Sequence, residues 1–199
     1  MVYCAYIFWG FCMRTTEHYT FFFSERDVFS NWHIAPFVYK GVTFNCNEQF
    51  MMYCKAKLFG DDIVAQKILN EPDQKKQKVL GRQVKGLKGG KWDAEDVALW
   101  NSKCKKFVGI GAKHKFLQHP TLFDKLMATD GTTLVEASPY DAVWGIKMGQ
   151  YDPGVEDPKN WKGTNWLGEI LTQLREHFKT NPQLKPSAGV SSGSSAHKL

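Results

Sequence analysis

Leu134 and Val135 run straight into Glu136, and Ser138-Pro139 stops the run soon after. Proline cannot donate to a sheet ladder, and it pushes the residue before it out of the helical region. The segment therefore reads as the end of a short buried strand followed by a sharp turn. That turn carries Tyr140, Asp141, Trp144 and Gly145. Two carboxylates, a phenol and an indole at one strand end make a wall suited to a polar ligand. The ordinary alternative is a packed turn, with Trp144 in the core and Glu136 and Asp141 capping backbone amides. For an isolated peptide that alternative is favoured, since ligand sites are few per protein.

A helix upstream changes the balance. Asn45 followed by Glu48 has the form of a capping box, and Phe50, Met51, Tyr53, Cys54 and Leu58 supply apolar positions up to Gly60, which stops the helix. Glu48, Met52 and Lys55 fall at i, i+4 and i+7, which is one helix face. A carboxylate and an amine on one face can share a pocket, each altering the other's proton affinity. Against this, a capping-box glutamate is consumed by backbone amides, and a surface lysine needs no partner. The residues alone leave both readings open.

The remaining punctuation is regular. Thr20 to Phe23 reads as a first strand, Phe29 to Trp32 as a turn, and Phe37 to Phe44 as a hairpin around Lys40-Gly41. Helices are expected after Asp61 or Asp62, after Pro72-Asp73 (ending near Gly81), and from Asp93, with Asp96 at the third following position. That last helix is expected to end near Phe107, with Gly109 and Gly111 breaking or kinking it before Phe116. A short helix follows Pro120, residues 152 to 159 read as a loop, and Asn165 caps a final amphipathic helix carrying Leu167, Ile170, Leu171, Leu174 and Phe178. The resulting class is α+β: a compact, mostly helical single domain with a few short strands, spanning residues 20–178. An N-terminal extension, residues 1–19, and a disordered tail, residues 179–199, flank it.

Composition narrows the partners. The chain has 26 basic and 20 acidic residues for a net charge of +6, and the bases are clustered. Lys75, Lys76, Lys78, Arg82, Lys85, Lys88 and Lys91 form one run, and Lys103 to Lys115 adds five bases with no acid. Such a field favours a phosphate-bearing partner, although a solvated basic face has the same composition. Five cysteines without a CxxC pair suit a reducing, intracellular compartment, cytoplasmic or nuclear. Met1 to Met13 is apolar but too short to span a bilayer and lacks the basic start of a secretory signal, so it reads as an extra strand or a loose extension. The histidines are scattered and no metal or cofactor motif is present. Gly109-Ile110-Gly111 lacks the third glycine of a dinucleotide fingerprint, and no phosphate-loop motif occurs. A monomer without cofactor, metal or membrane attachment is expected.

Five ordered blocks then resemble one family. Phe29-Ser30-Asn31-Trp32, Glu48-Gln49-Phe50-Met51-Met52 with Lys55-Ala56 and Leu58-Phe59-Gly60-Asp61, Leu80 to Gly86 with Trp92, Leu134 to Ile146, and Asn165-Trp166-Leu167-Gly168 are similar to the NADAR (YbiA-like) family. Trp32 and Trp166 depart from the residues more usual at their positions. The resemblance implies cleavage of N-glycosidic bonds in ribose-phosphate compounds. One branch removes ADP-ribose from guanine bases of DNA or RNA, and another splits phosphoribosylamino-pyrimidine intermediates of riboflavin synthesis. A silent module that binds ADP-ribose or NAD is the alternative of another class.

Breaking a ribose–base bond builds positive charge at the anomeric carbon, which a carboxylate stabilises while a second group protonates the base or delivers water. With the resemblance in hand, Glu48, Lys55 and Asp141 are the expected catalytic residues. Glu48 is expected near the anomeric carbon, and Lys55 as a proton donor or as an amine forming an imine with opened ribose. Glu136 and Asp141 are suited to ribose hydroxyls or a base edge, Trp92 and Trp144 to stacking, with Tyr140 beside them. Arg82 and the Lys85–Lys91 loop are suited to phosphates, and Ser30 and Asn31 to hydrogen bonds with the ligand.

Overall fold

The computed structural model describes residues 13–186. Among them are the strands β1 (Arg14–Thr15), β2 (Tyr19–Phe22), β3 (Phe37–Tyr39), β4 (Val42–Phe44) and β5 (Thr133–Glu136). The helices are α1 (Asn47–Leu58), α2 (Asp62–Asn70), α3 (Gln74–Arg82), α4 (Ala94–Gln118), α5 (Pro120–Met127) and α6 (Trp166–Thr180), with a short 3-10 turn at Pro158–Asn160. The α+β class, mostly helical with short strands, is the one observed. The reading of Met1 to Met13 falls almost wholly outside the described residues, and that of the tail does so beyond residue 186. Arg14 and Thr15 pair antiparallel with Phe21 and Thr20 and so edge the sheet.

The sheet explains why its strands are apolar without alternation. In the order β1-β2-β5, β2 runs parallel to β5, with Phe21 opposite Val135 and Phe22 opposite Glu136. Phe21 and Val135 pack on one side with Ile146, Met148 and Val155. Phe22 and Leu134 pack on the other, in the large core with Met51, Phe116, Leu171 and Phe178. A strand buried on both faces reads as a continuous apolar run. Side chains alternate along a strand, so Glu136 shares the side of Leu134, the side that the helices cover.

The hairpin forms where expected: Lys40 (φ 49°) and Gly41 (φ 78°) make the two-residue turn, the left-handed geometry that suits strand twist. Helix α4 differs from expectation. It continues unbroken through Gly109 and Gly111 to Gln118. Glycine inside a helix costs about 1 kcal/mol relative to alanine, and here tertiary packing overrides that cost. A Cβ on Gly111 would lie 1.8 Å from Asn47 Oδ1 and 2.7 Å from Phe50 Cδ1, so the bare backbone lets α1 and α4 approach closely. Helix α3 likewise runs through Gly81 and ends at Arg82. No helix among the described residues is long and apolar enough to cross a membrane.

Asn165 also departs from its expected role. It precedes α6 in a left-handed conformation (φ 51°) and makes no side-chain capping bond. Its amide instead clasps β5: Oδ1 accepts from Glu136 N at 2.9 Å and Nδ2 donates to Leu134 O at 3.0 Å. This fixes the strand end from which Glu136 emerges.

Candidate active site

The capping arrangement of α1 decides what Glu48 is free to do. The N-cap is Cys46, whose Sγ accepts from Gln49 N at 3.5 Å, and Gln49 Oε1 accepts from Asn45 N at 2.7 Å. The cap therefore lies one residue later than the Asn45–Glu48 pairing expected from the sequence, and the Gln49 side chain reaches back past the N-cap to Asn45 N. Glu48 N donates to Asn31 O at 2.8 Å, so the upstream turn satisfies that amide. The Glu48 carboxylate is not consumed by its own helix.

Glu48 is 2% exposed and its Oε1 has no hydrogen-bond partner among the described residues. Glu136 keeps part of its surface exposed, yet its Oε2 is buried and also without a partner. Both line one cavity of about 450 Å³, within the range typical of ligand pockets. Burial pushes the Glu48 carboxyl up to about 7, with Asp141 adding to the rise while Lys78, Lys55 and Arg82 oppose it. Burial likewise pushes Glu136 up to about 8, reinforced by the charges of Asp141 and Glu48 and opposed by Lys78. A buried carboxyl left without donors prefers its neutral form. The two acids, remote in sequence, thus meet in one cleft, where the Glu48 charge disfavours that of Glu136.

Asp141 and Trp144 line the same cavity from the turn after β5. Asp141 Oδ1 accepts from Val143 N and Trp144 N, each at 2.8 Å, so this residue does hold its own turn together while facing the pocket. Gly145 permits the tight fold-back: a Cβ there would lie 2.7 Å from Glu136 O and 3.2 Å from Asp141 O. Trp144 meets Trp166 edge-on at 5.8 Å between ring centroids. Tyr140 is 86% exposed at the cavity rim.

Lys55 enters from α1 and stands over two indoles, with Nζ 4.4 Å from the centroid of Trp92 and 5.4 Å from that of Trp100. Burial lowers its proton affinity; Glu48 works against that shift and Arg82 with it. Lys78 and Arg82, one turn apart on α3, supply two further cations, with Lys78 Nζ 5.3 Å from the Trp32 ring.

Two residues expected to contact the ligand, Ser30 and Trp92, do not line the cavity. Ser30 is buried behind the cavity: its Oγ accepts from Trp32 N at 3.1 Å and its carbonyl accepts from Lys115 Nζ at 2.9 Å. Trp92 does not line the cavity either. Its Nε1 donates to Val84 O at 2.8 Å and its ring lies 4.4 Å from Phe59, so it backs Lys55 and offers no free stacking face. The Lys85–Lys91 loop also lies outside the lining. Conversely, Trp32, Lys78, Trp100, Asn101 and Trp166 line the cavity without having been singled out as contacts. The i, i+4 spacing of Lys78 and Arg82 was the available signal for one of them. Among the described residues, no group of three or more metal-ligating side chains is arranged to hold a metal.

The site can be set beside known proteins. The NADAR domain model matches residues 13–179. Protein irg-1 of Caenorhabditis elegans is 37% identical over 184 residues, covering 85% of this chain and 84% of that protein. N-glycosidase R617 of Acanthamoeba polyphaga mimivirus is 35% identical over 173 residues, covering 81% of this chain and 96% of R617. The NMR structure of the E. coli protein YbiA superposes with a TM-score of 0.65 at 25% identity, covering 86% of this chain and 90% of YbiA.

Proposed function

Because the chain belongs to the NADAR family, we propose that it hydrolyses the N-glycosidic bond between ADP-ribose and guanine bases of nucleic acid. At the coarser level it is a hydrolase of N-glycosyl compounds, the reaction class in the name of R617. The observation that carries the reading is the pair of acids, each with one buried oxygen lacking a partner, in one indole-walled cavity. Glu136, pushed up to about 8, is protonated at neutral pH and has a proton to give. Glu48, near 7, supplies the second carboxyl.

In the proposed reaction the ribose–guanine C–N bond breaks, and its electron pair goes to the base nitrogen, which takes the proton of Glu136. Ionised Glu48 stabilises the positive charge at the anomeric carbon and accepts a proton from the attacking water, which becomes the new hydroxyl of ADP-ribose. Lys78 and Arg82 are suited to phosphate oxygens, and Trp32, Trp100, Trp144 and Trp166 give the cavity an aromatic wall suited to a base-bearing ligand.

The test is direct. The protein is incubated with an ADP-ribosylated guanosine oligonucleotide and, separately, with a phosphoribosylamino-pyrimidine. Release of ADP-ribose from the first alone is expected; release of sugar from the second alone would end the proposal. Borohydride added during turnover separates two roles for Lys55. A trapped mass on Lys55 means that its amine forms an imine with opened ribose, and its absence leaves the direct attack of water.

A further inference from the structure

Asn31 lines the cavity, and its surroundings fix it to an unusual degree. The carbonyl before it, on Ser30, accepts from the buried Lys115 ammonium at 2.9 Å. Its own carbonyl accepts from Glu48 N at 2.8 Å. With the backbone held on both sides, the freedom that matters is a half-turn of the side-chain amide, which exchanges a donor for an acceptor.

Asn47 removes that freedom. Its Nδ2 lies 3.2 Å from Val108 O and 2.8 Å from Asn31 Oδ1. A backbone carbonyl only accepts, so the Asn47 atom beside Val108 must be the nitrogen. The Asn31 atom beside that same nitrogen must then be an acceptor, its oxygen. Asn47 Oδ1 is buried with no partner among the described residues and occupies the space left by the missing side chain of Gly111. Asn47 itself is 1% exposed and does not line the cavity.

We infer that Asn47 is a positioning residue which holds Asn31 with its amide nitrogen toward the cavity, so that Asn31 is a donor and never an acceptor for the ligand. This deepens the reading of the site as one for an ADP-ribosyl compound and rests on it for the ligand's identity. The consequence is chemical. The ligand atom meeting Asn31 is an acceptor, and the N–H groups of a base are excluded there. No acceptor for Asn31 Nδ2 is found among the described residues, in keeping with a donor kept for the ligand.

Two measurements test this, one without any ligand. A neutron diffraction map of the deuterium-exchanged free protein is expected to show the ND2 group of Asn31 on the cavity side and its oxygen against Asn47. The reverse orientation would overturn the inference. Calorimetric titration with ADP-ribose as probe supplies the second. Asn47→Leu, which cannot donate, is expected to weaken binding about tenfold, comparable to Asn31→Ala. The double variant Asn31→Ala, Asn47→Leu should then bind no more weakly than Asn31→Ala alone. Losses that multiply would mean that Asn47 acts only through stability, and would overturn the inference. Asn47→Ser, which keeps a donor, is expected to retain more affinity than Asn47→Leu, guarding against misfolding of the apolar variant. If the unaltered protein fails to bind ADP-ribose, the proposed function falls, while the neutron map still decides the orientation.

Discussion

Glu48 and Gln49 are neighbours on α1, equally buried, and they differ in everything else. Gln49 completes its bonding: its oxygen accepts from Asn45 N at 2.7 Å, and its nitrogen donates to Ile68 O and Leu69 O at 2.9 and 3.2 Å. It thereby ties α1 to the end of α2. Glu48 faces the cavity with one oxygen unpaired and its carboxyl pushed up to about 7. An unsatisfied buried polar group costs about 1–3 kcal/mol; on this helix Glu48 Oε1 bears that cost on the face that the ligand would meet, and Asn47 Oδ1 bears it against Gly111 of α4. The lesson is that one helix can serve as scaffold through Gln49 and as reactive wall through Glu48.

The sharpest way to break the comparison is Glu48→Gln. It is expected to lower kcat on the ADP-ribosylated oligonucleotide by about 10²–10⁴-fold while leaving the thermal midpoint unchanged or raised. A large fall in the midpoint would mean that Glu48 is scaffold after all. Gln49→Ala is the mirror experiment. Stripping partners from buried carbonyls should cost about 2–4 kcal/mol in urea unfolding, with kcat per folded molecule altered less than about twofold.

Titration sharpens the contrast. Glu48 and Glu136 bind protons more tightly in the folded chain than their ordinary value of 4.5, up to about 7 and about 8. The folded state therefore holds more protons than the unfolded one across that window, and stability must fall as pH rises from about 4.5 to 8. Urea unfolding across this range should show that fall, of the order of 3 kcal/mol for one such group, and a shallower slope in Glu136→Gln. Lys115 works in the opposite sense: burial lowers it to about 7, so its cost is greatest below that pH and disappears as pH rises toward 10.5. In Lys115→Met the rise from pH 7 toward 10.5 should flatten. The smallest effect is expected for Ser30→Ala, whose hydroxyl only accepts from Trp32 N. Stability should change by less than about 1 kcal/mol and the affinity for ADP-ribose should stay within about twofold; a larger loss of affinity would return Ser30 to the ligand.

Much of the architecture was legible because its signals are local. Asp61, Asp73 and Asp93 each cap a helix with the side chain, as their positions before apolar-periodic segments implied. The errors share one cause, competition from distant partners. The expected Asn45–Glu48 box gives way to a cap at Cys46, with Gln49 drawn back to Asn45 N and across to Ile68 O at the end of α2. Helix α4 was read as ending at glycines that tertiary contact with Asn47 and Phe50 instead requires. Trp92, expected as a stacking surface, has its N–H on Val84 O and its ring against Phe59.

The sequence by itself determined the starts of α2, α3 and α4, the hairpin turn, and the placement of Glu48, Met52 and Lys55 on one helix face, since these follow from periods of a few residues and from caps. It also placed a carboxylate at the end of a buried strand. Only the tertiary structure decided that Glu48 and Glu136 would lose water together, that Trp100 and Trp166 would wall the same cavity, and that Ser30 would turn away from it. Proton affinity and ligand access depend on which groups remote in the chain approach within a few ångströms. That approach is set by the packing of α1, α4, α6 and β5 around a shared core, which no local pattern encodes.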